Sequence, residues 1–245
     1  MGIHQKLIDC AMPWVDGQSV KEMRFGLGYS CVELSDGRMG LAWTPDQKTC
    51  TCTHLEAAGQ IAGQPAEKIL GWLNCDNPLE RTAGLAVFNA LNSRKERLFT
   101  EGEATSLLKI QSGDHVVMIG YFAPVVPSIK ATGCRFEVVE LDPDKPGISP
   151  DQGFRALEEC DIAIITATSI INGTFDNLAA ALKRNRAALV LGPSTPMCPE
   201  AFAGTRITQL SGSYVKDHDK VKMIVSEGGG TRLLKKHLRF ANTMV

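Results

Sequence analysis

Apolar and polar positions follow two different rhythms along the chain. Residues 116–119 are apolar without interruption, as expected of a strand buried on both faces of a parallel sheet. Gly120 ends that run, and residues 124–131 read as a helix whose proline suits a first turn. Gly133 marks the way out, and residues 136–141 form a second strand with Glu140 near its end. Alternation then continues: helix 151–159, strand 162–168, helix 174–183, strand 187–191, a helical turn at 199–202, a last short strand at 207–210 and helix 217–226. Such alternation predicts a parallel sheet with right-handed crossovers, that is, a Rossmann-like α/β domain over residues 114–245.

The rhythm before residue 98 is mixed. Residues 4–14 read as a short amphipathic helix, and residues 24–34 and 38–44 as a hairpin turned by Ser35-Asp36-Gly37. Met39, Leu41 and Trp43 alternate, so one face of that hairpin is expected to be buried. Residues 65–73 and 79–91 are predicted helices. The second carries many small residues on its apolar face, which implies a close neighbour. Asn89 and Asn92 share a face at its end, either terminating the helix or presenting two amides to a cleft. Residues 93–113 are charged and lightly apolar, with Leu107, Leu108 and Ile110 as a short packed segment. The expected organisation is a smaller α+β domain over 1–98, a linker over 99–113 and the Rossmann-like domain over 114–245.

In open parallel sheets ligands sit beyond the carboxyl ends of the strands. The residues predicted there are Gly120, Tyr121 and Phe122; Glu140; Thr166 and Thr168, with Asn172, Gly173 and Thr174; Gly192, Pro193, Ser194 and Thr195; and Ser211-Gly212-Ser213. They offer hydroxyls, amides and one carboxylate, but few cations. Glu140 stands where a dinucleotide fold places its ribose-binding acid. The G-x-G-x-x-G that would admit a pyrophosphate is absent, because Tyr121 and Phe122 follow Gly120. His115, His218 and His237 are all badly placed to serve a nucleophile, so no hydrolytic triad is read. The glycines at 228–230 before Arg232 read as a cap ending helix 217–226, with anion binding as the second reading.

Cys50, Cys52 and His54 form the one stretch with metal-ligand chemistry, two thiolates and an imidazole suited to zinc, copper or iron. Their C-x-C-x-H spacing lacks the second pair of a structural zinc site. The other reading is a loop in which Thr53 caps a helix beginning at His54 or Leu55, with Glu56 completing a capping box.

Composition narrows the function classes. A net charge of -1 and 6% aromatic residues argue against nucleic acid or an anionic membrane as partner. No apolar run approaches the roughly 20 residues of a bilayer span. The N-terminus lacks a signal-peptide layout, and Lys6 stands where a myristoylation motif needs Ser or Thr. A cytoplasmic protein is expected. Its 8 scattered cysteines show no disulfide framework, in keeping with a reducing compartment. A homodimer is expected only from the frequency of two-fold assemblies.

Six stretches together resemble one family: Leu79 to Ala86 (LERTAGLA) running on to Asn89-Ala90; Gly120 to Pro124 (GYFAP); Ile165 to Thr168 (ITAT); Asn172 to Thr174 (NGT); Leu191 to Pro196 (LGPSTP); and Ser226 to Gly229 (SEGG). They occur in family order and cover nearly the whole chain. The family is the one called "putative heavy-metal chelation". The resemblance implies an enolase N-terminal-like domain joined to a Rossmann-like domain, with a site in the cleft between them. It further implies binding of a metal or metallo-cofactor precursor, in metal uptake or anaerobic cofactor metabolism. Carried over, its site residues are Asn89, Tyr121, Phe122, Glu140, Thr166, Asn172, Thr174, Pro193 and Ser194. Of these only Glu140 is a strong metal ligand. A hydroxyl- and amide-rich cleft suits a metal that brings its own organic ligands. Two further functions stay open: an enzyme using a nucleoside-bearing cofactor such as S-adenosylmethionine, with Glu140 on the ribose, and a regulatory or scaffolding domain with a vestigial cleft.

Overall fold

The computed structural model describes residues 1–46, 55–93, 99–140 and 147–245. Among these residues the strands form two sheets. The chain begins with α1 (Ile3–Ala11) and then builds β1 (Val20–Phe25), β2 (Tyr29–Leu34) and β3 (Met39–Trp43) as an antiparallel sheet in the order β1-β2-β3. Helices α2 (Ala66–Leu70) and α3 (Pro78–Asn92) follow. The Asn77 side chain accepts the Leu79 amide hydrogen at 2.9 Å to cap α3, and Pro78 occupies its first turn.

The hairpin read over 24–44 is therefore three strands. Gly26 and Gly28 break the first run, so β1 and β2 are separate antiparallel neighbours. The face carrying Met39 and Leu41 is buried as expected, and the opposite face is buried as well, since all of β2 is buried. Val32, Leu34 and Ala42 join the core with Ala83, Ala86 and Ala90 of α3. On the other face Tyr29, Cys31, Met39 and Leu41 form a second cluster. The small residues of α3 have a definite purpose. Gly40 of β3 lies so close beneath the helix that a methyl group there would fall on the Ala86 carbonyl and the Ala90 amide. After β3, residues 56–59 form a turn rather than the predicted helix, and the Cys50, Cys52 and His54 stretch lies outside the described residues.

The larger sheet comprises β4 (His115–Ile119), β5 (Arg135–Val139), β6 (Ile162–Thr166), β7 (Ala187–Leu191), β8 (Gln209–Val215) and β9 (Leu238–Met244), in the order β5-β4-β6-β7-β8-β9. The first five are parallel and β9 runs antiparallel to β8. The connecting helices are α4 (Val126–Ala131), α5 (Pro150–Glu159), α6 (Thr168–Asn172), α7 (Phe175–Ala181), α8 (Pro199–Phe202), α9 (His218–Ser226) and α10 (Thr231–Leu234). Val116, Met118, Ile162, Ile164 and Leu189 pack on one face with Leu108, Val126 and Ile129. Val117, Ala163, Ile165, Ala188 and Val190 face the other way, into the same core that contains α1 and α3. One continuous core thus runs from the small sheet into the large one. Helix α9 packs over β1 and β2 and supplies Val221 and Val225 to the small sheet's second cluster.

Three sequence expectations change here. Strand β6 ends at Thr166, and α6 begins at Thr168. Strand β8 runs past Leu210 to Val215, which puts Ser211-Gly212-Ser213 inside the sheet. The terminal segment after the glycines ends in a strand, β9. Polar residues hid β8 and β9 from a hydrophobicity reading, and the sheet satisfies them internally. The buried Ser211 hydroxyl donates to Asn242 Oδ1, and Gln209 Nε2 donates to the Ala104 carbonyl at 2.8 Å. Of the three apolar residues expected to form a short packed segment, Leu108 is buried and Ile110 packs beside it, whereas Leu107 is exposed. No helix among the described residues is long and apolar enough to cross a membrane.

Candidate functional site

Strand β4 has β5 on one side and β6 on the other, so the strand order reverses at its carboxyl end. This is where an open α/β sheet leaves a crevice. The chain leaves β4 through Gly120 at φ +81°, a conformation open to glycine, with the Thr166 side chain 3.2 Å from where a Cβ would lie. Tyr121 follows with its side chain exposed, and its amide donates to Glu140 Oε2 at 3.2 Å. Phe122 turns inward against the Val116–Met118 cluster, and its ring is 3.6 Å from the Cβ position of Gly192 at the end of β7. The Thr166 and Thr168 hydroxyls lie 3.0 Å apart, and the Thr168 amide donates to Thr166 Oγ1 at 3.3 Å. Gly120, Tyr121, Phe122, Glu140, Thr166 and Thr168 are thereby gathered around one strand end.

Asn172 and Thr174 flank Gly173 at the far end of α6. Asn172 is half-buried and Thr174 exposed. Asn89, Pro193 and Ser194 occupy a different place, the buried junction of the two sheets. Asn89 Nδ2 donates to the Leu41 carbonyl at 2.9 Å and to the Ser194 carbonyl at 3.1 Å. Ser194 Oγ accepts the Trp43 amide hydrogen at 2.7 Å, and the Pro193 carbonyl accepts from Ser213 Oγ at 3.0 Å. Asn92 completes the seam by donating to the Met197 carbonyl at 2.8 Å. Both amides on that face of α3 hold the 193–197 loop. The predicted site residues thus divide into an edge group, the Asn172 and Thr174 pair at the far end of α6, and a seam group.

Arg81, one turn into α3, was absent from the residues singled out in the sequence. Its guanidinium is half-buried against the turn after α6, with Nη1 3.0 Å from the Cβ position of Gly173. Its Nε is buried and, among the described residues, has no hydrogen-bond partner. Burial pulls the Arg81 pKa below its ordinary value, opposed by the charge of Asp76. Nearby, His4 Nε2 is 2.6 Å from the Ile170 carbonyl, so that nitrogen carries the hydrogen. Burial holds the His4 pKa down, the Ile170 carbonyl opposes this, and the Arg81 charge adds to it. Asp176 is occupied as well, accepting the Ile3 amide hydrogen at 3.0 and 3.2 Å. The only sequence signal for Arg81 was its place in the LERTAGLA stretch, where a charged residue on a helix reads as solvated surface.

No group of three or more His, Cys, Asp or Glu side chains among the described residues could hold a metal ion. The donors of the carboxyl edge are hydroxyls, amides and one carboxylate. They do not fit a bare ion of the softer heavy metals.

Residues 103–244 match the family model DUF364 and residues 8–92 match DUF4213, and both models carry the description "Putative heavy-metal chelation". An uncharacterized protein of Methanocaldococcus jannaschii is 26% identical over 176 residues, 69% of this chain and 68% of that protein. A protein of unknown function from Pyrococcus horikoshii has the same fold, with a TM-score of 0.87 at 23% identity over 100% of both chains. Another from Desulfitobacterium hafniense superposes with a TM-score of 0.84 at 21% identity, covering 99% of this chain and 98% of that one.

Proposed function

This chain belongs to the DUF364 family, and from that premise we propose that it binds a metal-bearing organic compound or a metallo-cofactor precursor at the carboxyl edge of β4 and β6. The observation that carries this reading is the donor set gathered there. Glu140 is held by the Tyr121 amide, and the Thr166–Thr168 hydroxyl pair stands on the other side of Gly120. Such groups recognise the hydroxyls and amides of an organic ligand, and the exposed Tyr121 ring offers a flat apolar surface to a planar one. A metal would then arrive with its own ligands in place. The Cys50, Cys52 and His54 stretch remains the candidate for direct metal ligation.

A second reading rests on Glu140 itself. An acid closing the second strand of the unit, beside the strand-order reversal, is placed to accept hydrogen bonds from a ribose, which favours a nucleoside-bearing cofactor such as S-adenosylmethionine.

Thermal-shift measurements on the metal-stripped full chain separate these readings, because a ligand that binds only the folded state raises the melting temperature. The probes are divalent metals, corrinoid and pterin compounds, S-adenosylmethionine and S-adenosylhomocysteine. Stabilisation by a corrinoid or pterin compound, lost in Glu140→Ala, supports the first reading. A shift with free metal that disappears in Cys52→Ala moves the function to the Cys-His stretch. A nucleoside shift lost in Glu140→Ala, with metals inert, replaces chelation with cofactor-dependent chemistry.

A further inference from the structure

We infer that Arg81 binds an anionic group, a carboxylate or phosphate, carried by the ligand of the carboxyl edge. This deepens the reading of that edge as the ligand site and rests on it. Arginine brings five N–H donors in a planar fork. Among the described residues, the Arg81 guanidinium meets no hydrogen-bond or ion-pair partner, and its buried Nε has no acceptor. A half-buried cation left in that state costs stability, and the usual relief is an oxyanion.

The surrounding groups are committed elsewhere. Asp176 is occupied by the first amide of α1, and His4 donates to the Ile170 carbonyl, so it presents no acceptor through that nitrogen. Asp76 acts on Arg81 only through its charge, without an ion-pair contact. The fork lies instead against Gly173, whose φ of +74° and missing Cβ let the guanidinium approach the turn backbone.

The placement also says what kind of ligand would use both groups. Helix α6 joins the Thr168 hydroxyl at the strand edge to the Gly173 turn beside Arg81, and five helical residues span about 7 Å. Glu140 lies at the end of β5, two strands from β6, which is about 10 Å along the edge. A ligand reaching from one to the other is elongated, with hydrogen-bond donors at the Glu140 end and an oxyanion at the Arg81 end. A bare divalent cation gains nothing from Arg81, whereas an anionic chelate is drawn to it.

The test uses the full chain, as wild type, Arg81→Met and Arg81→Lys, titrated with citrate, inorganic phosphate, free Ni²⁺ and the Ni²⁺–citrate complex by calorimetry and thermal shift. Citrate or phosphate is expected to stabilise the wild type, and whichever acts identifies the oxyanion. Arg81→Met should lose at least about tenfold in affinity for it, as when a charge-assisted fork is removed, and Arg81→Lys should keep part of it. Without ligand, Arg81→Met should melt at or above the wild-type temperature, because it breaks no native bond. The assignment is overturned if neither anion stabilises the wild type or if all three proteins respond alike. It also falls if Arg81→Met lowers the melting temperature of the free protein or prevents folding, since the residue would then be structural. The two readings fail separately. Ni²⁺–citrate acting equally on all three proteins sinks Arg81 and spares the metal-complex reading. Citrate acting through Arg81, with Ni²⁺ adding nothing, does the reverse.

Discussion

The two faces of the small antiparallel sheet are both buried, but by different means. Toward α3 the interface is built mainly of apolar side chains and is nearly flush. Gly40 brings β3 against the helix backbone, and Val32, Leu34 and Ala42 meet alanines. Toward α9 the apolar cluster of Tyr29, Cys31, Met39 and Leu41 gives way to charge. Glu33, a buried carboxylate, accepts from Lys21 at 2.6 Å and from Lys222 of α9 at 2.9 Å. The first face depends on shape and the second on ionisation. Volume changes should therefore damage one face, and protons the other.

The largest effect expected is at Gly40→Ala. The added methyl falls on helix backbone that cannot move independently, and a cost of about 3 kcal/mol is expected in urea unfolding, enough to separate α3 from the sheet. Asn89→Ala removes both hydrogen bonds of one amide and leaves two carbonyls at the seam short of a donor. A loss of about 2 kcal/mol is expected, with weaker ligand binding only if the seam positions the edge.

Glu33→Gln tests the charged face. Hydrogen bonds from Lys21 and then Lys222 hold the Glu33 carboxyl at about 2, against an ordinary value of 4.5. Its pKa is depressed on folding, so its stabilisation is present above the ordinary value and is lost as pH falls through about 2. The glutamine variant should lose about 1.5 kcal/mol at neutral pH. Its stability should also fall less steeply than that of the wild type between pH 5 and pH 2, a comparison that Gly40→Ala leaves unchanged. The smallest effect concerns Cys31, whose thiol burial pushes up to about 12. In the native state it should resist alkylation at pH 8 while the half-buried Cys134 reacts, and it should react once the chain unfolds.

The parallel sheet was legible in the sequence because its strands are buried on both faces and read as unbroken apolar runs, as residues 116–119 and 162–165 do. β9 was not legible, since Asn242 and Thr243 interrupt it, and the cost of burying Asn242 is met by Thr100 and Gly102, far along the chain. The edge residues Gly120, Tyr121, Glu140 and Thr166 were found from position alone, because strand ends follow directly from strand assignments. Arg81 was missed for the opposite reason. What distinguishes it is the lack of a partner among the described residues, and a missing contact leaves no mark on sequence spacing.

By itself, then, the sequence determined the alternation of strands and helices, the carboxyl edge and the family. These depend on periodicity, turn residues and local motifs, all properties of neighbouring positions. Only the tertiary structure decided that β2 is buried twice, that Asn89 and Ser194 join the two sheets, and that Arg81 lies against Gly173 with its Nε unpartnered among the described residues. Each of these depends on which distant group reaches a given side chain, and that is set by packing across the whole core.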